Sequence, residues 1–189
     1  MAKTVLNLIM TFDGYVAGLH DEIDWIASSS TAASSEGEEP KKWDFSAFTS
    51  QVGAVVVGMR SYELGIEQGW FKNEAYGPSP IFVLCKSAPE DVSDDADFRF
   101  VTGGIDAIYK QASDAAGKKW VYLFGGPSIV QQFLNQDLVD ELWITVAPIL
   151  LGKGIRLFDN LTERRVHLEK IEVTGHPNGM IETKYRIQK

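Results

Sequence analysis

Two stretches of the chain combine residue types suited to holding phosphate. In Val57-Gly58-Met59-Arg60-Ser61-Tyr62 and in Phe124-Gly125-Gly126-Pro127-Ser128-Ile129, an apolar strand-type run ends in glycine and passes into a helix-type run. The first N–H groups of a helix have no partner inside it and carry the positive end of its dipole. Placed beyond the C-terminal end of a parallel strand, they meet anionic ligands. At the second junction the glycines remove any Cβ from the approach, and Pro127 has no N–H, so Gly126, Ser128 and Ile129 are the donors. At the first, Arg60 and Ser61 add a cation and a hydroxyl, and Lys86 and Ser87 follow the next apolar run. Two phosphate-competent helix starts with a basic site beside them suit a phosphorylated dinucleotide. The bland alternatives are a tight turn for Gly125-Gly126 and a solvated helix charge for Arg60. Neither a G-x-G-x-x-G fingerprint after the first strand nor a Walker A sequence occurs.

Groups able to move a proton are fewer. Asp13 and Asp44 are the candidate catalytic carboxylates. Asp13 also reads as a turn residue ahead of Gly14, and Asp44 as the N-cap of a helix over Phe45 to Gln51. His20, His167 and His176 fall on a loop, a strand and a turn without metal-ligand spacing, and Cys85 is the single cysteine, so no metal site and no disulfide framework is expected. Trp25, Trp43 and Trp70 flank the variable loops and are candidates to line a planar-ring pocket, with ordinary packing as the alternative.

These residues need a scaffold, and the hydrophobic pattern supplies one. Apolar strand-type runs at 5–10, 54–57, 80–84, 98–101, 120–124 and 141–147 alternate with helix-type spacing at 45–51, after Gly58 to about Gly65, at 105–115 and after Pro127. That order predicts an α/β fold with a mostly parallel mixed sheet. Two alternating runs, Arg165 to Thr174 and Met180 to Ile187, flank a turn-rich linker and predict a C-terminal antiparallel hairpin. Ser28 to Glu39, rich in Ser, Ala, Thr, Gly and Glu, reads as a surface loop, with a lid at the mouth of a site as the alternative.

At 189 residues with 44% hydrophobic and 23% charged, the chain is sized for one domain over 1–189 with its own core. The formal charge of −8, from 18 basic and 26 acidic residues, leaves no basic stripe for a nucleic acid. No apolar run is long enough to cross a membrane; a cytoplasmic protein without nucleic-acid or membrane partners is expected.

Four segments resemble a known family. Thr11-Phe12-Asp13-Gly14-Tyr15-Val16-Ala17-Gly18 is similar to the S-L-D-G-Y-I-A-G opening of dihydrofolate-reductase-like proteins, in the branch related to the reductase domain of bacterial riboflavin biosynthesis. Gly58-Met59-Arg60-Ser61-Tyr62-Glu63 resembles that branch's G-R-K-T-Y-E, and Phe124-Gly125-Gly126-Pro127-Ser128 its glycine-pair cofactor loop. Asp140-Glu141-Leu142-Trp143-Ile144-Thr145-Val146-Ala147-Pro148-Ile149-Leu150-Leu151-Gly152-Lys153-Gly154, followed by Leu157-Phe158, resembles its D-E-L-x-L-x-x-x-P-V-L-L-G-x-G-x-x-L-F.

The resemblance implies a three-layer dihydrofolate-reductase-like fold, NADPH as cofactor, and hydride transfer to a small heterocycle. That substrate is a pterin, or an aminouracil ribosyl compound as in 5-amino-6-(5-phosphoribosylamino)uracil reductase. A nucleotide-binding module of the same fold without turnover is the alternative. Carried over by position, Gly58, Met59, Arg60, Ser61, Lys86 and Ser87 meet the adenosine 2′-phosphate and pyrophosphate. Phe124, Gly125, Gly126, Ser128 and Ile129 form the pyrophosphate loop. Thr102 and Gly103 lie near the adenine, and Ile9, Met10 and Val16 near the nicotinamide. The resemblance also suggests a cis Gly125–Gly126 peptide, and a homodimer in which Trp143 to Leu151 pairs with its copy. Two positions depart from the family pattern: Met59 replaces an arginine, and Gly53 stands where riboflavin-pathway reductases carry an Asp.

Overall fold

The computed structural model describes residues 2–31, 45–73, 75–163 and 165–189. Asp44, Trp43 and the remainder of the predicted surface loop, 32–39, lie outside the described residues. The chain divides into two compact units, Met1–Leu6 with Asp44–Asp140, and Asn7–Trp43 with Glu141–Lys189.

The first unit is a parallel sheet covered by helices. Its strands are β3 (Val52–Gly58), β4 (Ile81–Leu84), β5 (Phe98–Val101), β6 (Trp120–Gly125) and the first residues of β1 (Thr4–Thr11), in the order β5-β4-β3-β6-β1, and every pairing is parallel. Val55, Val56 and Val57 are fully buried, as a continuous β-branched run requires of a strand covered on both faces. The helices are α2 (Ser46–Thr49), α3 (Met59–Gln68), α4 (Gly104–Ala116) and α5 (Pro127–Asn135). The spacing that predicted α4 is the face it buries, Ile105, Ile108, Ala112 and Ala116. Thr4 ties the first strand to the end of the unit: its N–H donates to Asp140 Oδ2 at 2.8 Å, and its carbonyl accepts from the Asp140 N–H at 2.9 Å.

Two helices differ from expectation. The predicted 45–51 helix is a single turn, α2. The third helix runs through Gly65 to Gln68 and closes at Gly69, whose φ of +70° is the left-handed stop that glycine tolerates. Gly65 stays inside because the Phe71 ring packs where its Cβ would stand. A tighter constraint lies at Gly53, where a Cβ would come within 2.8 Å of the Ala116 backbone and of Lys119 Cβ. Gly53→Ala is therefore expected to force α4 off β3 at a cost of about 1–3 kcal/mol, read as a lowered midpoint in urea with an unchanged slope.

The second unit contains the later residues of β1, β2 (Tyr15–Ala17), α1 (Asp24–Thr31), β7 (Glu141–Ala147), β8 (Ile155–Arg156), β9 (His167–Gly175) and β10 (Ile181–Gln188). β10 pairs antiparallel with β7 and with β9, so the predicted hairpin forms; β2 and β8 make a small antiparallel sheet that the sequence pattern passes over. The predicted loop is corrected at its start, because Ser28 to Thr31 continue α1, anchored by buried Trp25. That burial, at 4% exposure, also places Trp25 in the core with Ala147 and Met180 and not at a pocket wall. β7 has β1 on one side and β10 on the other, so the expected self-pairing along Trp143 to Leu151 finds no free backbone in this strand.

Candidate functional site

In the first unit, four chain segments leave the sheet at one end. Gly58 is the register partner of Leu84, Leu84 of Val101, and Val57 of Gly125. The chain therefore departs at Met59, Cys85, Thr102 and Gly126 from the carboxyl ends of four neighbouring parallel strands, the place where open α/β sheets take ligands. Lys86, Ser87, Thr102 and Gly103 are all exposed there, as is Arg60, while Met59 and Ser61 are half-buried.

The two glycine junctions adjoin. A Cβ on Gly58 would lie 3.8 Å from Ile129 Cγ2, 3.9 Å from the Gly125 carbonyl oxygen and 3.9 Å from the Gly126 nitrogen. Gly125 has φ +127°, a conformation reserved for glycine, and the Gly125–Gly126 peptide is cis. Gly126 caps α5 in extended conformation with Pro127 at the first turn, and its missing Cβ would stand 2.8 Å from Ser61 Oγ. The N-cap residues of α3 and α5 are Gly58 and Gly126, which make no side-chain cap bond, so both helix starts open onto the glycines. Gly58, Ser61, Gly125, Gly126 and Ile129 are thus brought together. Phe124, half-buried, stands just before them.

Phe124 belongs to an aromatic cluster that sequence reasoning did not single out. Tyr76 lies 5.7 Å from Phe124 and 5.9 Å from Tyr122 between ring centroids; Trp70 lies 5.9 Å from Phe124, and Phe45 and Phe48 lie 6.1 and 5.0 Å from Tyr122. Burial pushes the Tyr76 and Tyr122 phenols above their ordinary range, so both stay protonated. The alternation Trp120, Tyr122, Phe124 was the signal, since alternate strand residues share a face. Cys85 is also held protonated by burial, its thiol lying 3.8 Å from the Val101 carbonyl.

Asp13 sits in the second unit and is fully engaged there. Its carboxylate accepts from the Thr11 hydroxyl at 2.6 Å, from the Gly152 N–H at 2.7 Å and from the Leu151 N–H at 3.1 Å. The Thr11 hydroxyl bond, helped by the Gly152 and Leu151 N–H groups, lowers its pKa to about 2. These bonds make the Asp13 carboxylate a clamp between two loops. Neighbouring bonds strengthen the same junction: Phe12 N–H to the Ile149 carbonyl, 3.0 Å, and the Tyr15 hydroxyl to the Gly152 carbonyl, 3.2 Å. Ile9, Met10 and Val16 are half-buried in this unit. Among the described residues no group of His, Cys, Asp and Glu is placed to hold a metal.

Gly53 bears on the departure from the family pattern. With no room for a Cβ against Ala116, this backbone excludes the Asp that the resemblance places there.

With this geometry described, comparison with known proteins defines the class. Residues 2–181 match the RibD C-terminal domain family, and the chain belongs to it. A crystal structure of a putative riboflavin biosynthesis protein from Shewanella sp. PV-4 is similar over 100% of both chains, at 27% identity and a TM-score of 0.80. A Thermotoga maritima diaminohydroxyphosphoribosylaminopyrimidine deaminase/5-amino-6-(5-phosphoribosylamino)uracil reductase is similar over 99% of this chain and 57% of its own, at 13% identity and a TM-score of 0.63. Dihydrofolate reductase from Enterococcus faecalis, solved with NADP(H), shares the fold at 12% identity and a TM-score of 0.61 over 99% and 97% of the two chains. The chain thus has a dihydrofolate-reductase-like α/β fold, a mostly parallel mixed sheet with a C-terminal antiparallel hairpin, and belongs to a reductase-type family. Among the described residues no helix is long and apolar enough to cross a membrane.

Proposed function

We propose that the chain is a cytoplasmic, NADPH-dependent reductase of a small heterocycle, a pterin or an aminouracil ribosyl compound, acting as a homodimer with residues 1–189 as one reductase domain. The observation that carries this reading is the glycine pair beside Ser61 with two uncapped helix starts. The missing Cβ at Gly126 lets the Ser61 hydroxyl stand against the start of α5, and this hydroxyl and the α5 N–H groups together supply donors for a pyrophosphate. When bound, the nicotinamide supplies the hydride. The chain's own work is positional. Gly126, Ser128 and Ile129 donate to the pyrophosphate. Arg60 and Lys86, with Ser87, counter the 2′-phosphate, and Thr102 and Gly103 border the adenine. Ile9, Met10 and Val16 are assigned to the nicotinamide by family likeness.

A second reading has its own support. The Asp13 carboxylate is taken up by three hydrogen bonds within its loops, which favours a nucleotide-binding module without turnover unless Asp44 or an ordered water protonates the substrate. One titration separates these outcomes. NADPH is expected to raise the melting temperature and quench tryptophan fluorescence more strongly than NADH, with oxidation seen on adding pterins, aminouracils or quinones. Tight binding without oxidation across that panel favours the binding module. No response to either nucleotide at millimolar concentration removes both.

A further inference from the structure

The aromatic cluster beside the glycine pair holds a phenol that the fold itself does not need. Tyr76 is 9% exposed, and four rings enclose its own: Phe124 at 5.7 Å, Tyr122 at 5.9 Å, Phe71 at 6.1 Å and Phe45 at 6.3 Å between centroids. A buried tyrosine hydroxyl ordinarily finds a hydrogen-bond partner. The Tyr76 hydroxyl has none among the described residues, and burial alone acts on its phenol, with neither a bond nor a charge beside it. A phenylalanine here would pack the same ring and spare the chain an unpaired polar group.

The place of the cluster suits a ligand. Phe124 directly precedes Gly125 at the carboxyl end of β6, so these rings adjoin the end of the sheet where the glycine pair lies. Phe71 and Tyr122 are buried beneath, whereas Phe45 and Phe124 are half-buried and keep ring surface in water. Trp70, also half-buried and 5.9 Å from Phe124, extends the same surface. A planar ring stacks on such a surface with gain. None of these side chains carries a charge, and a phosphate set among them would lie unpaired.

We propose that Tyr76 is a specificity-determining residue of this site, its hydroxyl donating to an exocyclic oxygen or ring nitrogen of an uncharged, flat heterocycle that lies against Phe45, Trp70 and Phe124. This rests on the reductase reading and deepens it, selecting a pterin over a phosphoribosyl aminouracil. Recognition is by shape and by one acceptor. A ring without that acceptor leaves the hydroxyl unpaired in apolar surroundings, which is how a polar group in a site rejects the wrong ligand. The phenol stays protonated at neutral pH, so it has a hydrogen to donate.

Unsubstituted pterin titrated into the full chain, with and without NADPH, is expected to quench tryptophan fluorescence saturably, and 5-amino-6-(5-phosphoribosylamino)uracil to bind more weakly. Tyr76→Phe is expected to weaken pterin binding about three- to tenfold, the loss of one hydrogen bond, with melting temperature and NADPH affinity unchanged. Trp70→Phe is expected to remove most of the quench. Equal pterin binding by the wild type and Tyr76→Phe overturns the proposal, as does tighter binding of the phosphorylated compound or no pterin binding at all. Should Tyr76→Phe not fold, Trp70→Phe decides, since an unchanged quench places the pterin elsewhere. Failure of the reductase reading looks different. A chain that binds pterin through Tyr76 and never oxidises NADPH keeps this site and loses the reductase. One whose NADPH oxidation with pterin is the same in Tyr76→Phe keeps the reductase and loses this site.

Discussion

Gly125→Ala is expected to weaken NADPH binding by at least about tenfold, or about 1.4 kcal/mol. Gly125 sits at φ +127°, and an L residue held in such a region costs on the order of 1–3 kcal/mol. The backbone can relieve that strain only by turning the peptide that presents Gly126, Ser128 and Ile129. Isothermal titration with NADPH, paired with a melting curve, separates lost binding from lost stability. Gly126→Ala tests the same cradle differently. Its Cβ would stand 2.8 Å from Ser61 Oγ, so Ser61→Gly in the same chain is expected to recover part of the loss. A Gly125→Ala chain that binds as wild type would place the cofactor elsewhere.

Asp13→Asn is expected to have the second largest effect, on acid stability and loop order. The folded-state pKa is about 2, against 3.8 for an unconstrained Asp. Between these values the unfolded chain binds the proton and the folded chain does not. Stability from the clamp is therefore fully present above about pH 4 and is lost as pH falls through 2. The amide oxygen can still accept from the Gly152 and Leu151 N–H groups, but the charge that strengthens those bonds is gone and the NH2 now faces the Thr11 hydroxyl, which must turn from donor to acceptor. At pH 7 the variant should melt a few degrees lower, and its melting temperature should change less between pH 4 and pH 2 than that of the wild type. Melting curves across that range provide the check, and parallel pH profiles for the two proteins would contradict the clamp.

The fold was legible because its strands are unusually pure. Val55 to Val57 and Trp120 to Phe124 have no polar interruption, and each runs straight into a glycine, so both strand–glycine–helix junctions follow from local order alone. The hairpin was equally plain from alternation around Gly175 to Gly179. What the sequence pattern could not carry was distance. Asp13 reads as a turn residue because its partners, Leu151 and Gly152, are 138 and 139 positions away. The closeness of Gly126 to Ser61 depends on β3 lying beside β6, which no local signal announces. Gly53 looked like a departure in chemistry and is first a matter of space, since α4 passes against it. The short β2–β8 sheet was missed because two- and three-residue strands have no period to detect.

The bond between Thr4 and Asp140 has a consequence for how the protein is made. These residues are 136 positions apart, and the parallel neighbour of the first strand, β6, begins only at Trp120. On a ribosome adding about 5–20 residues per second, roughly 7–27 s separate the synthesis of Thr4 from that of Asp140. During that interval the run Val5 to Met10 has left the tunnel, with neither β6 nor β7 yet available to flank it. The first strand synthesised must therefore be among the last to be placed. A nascent chain stalled before Trp120 would present this apolar segment to chaperones, and the released full chain would not.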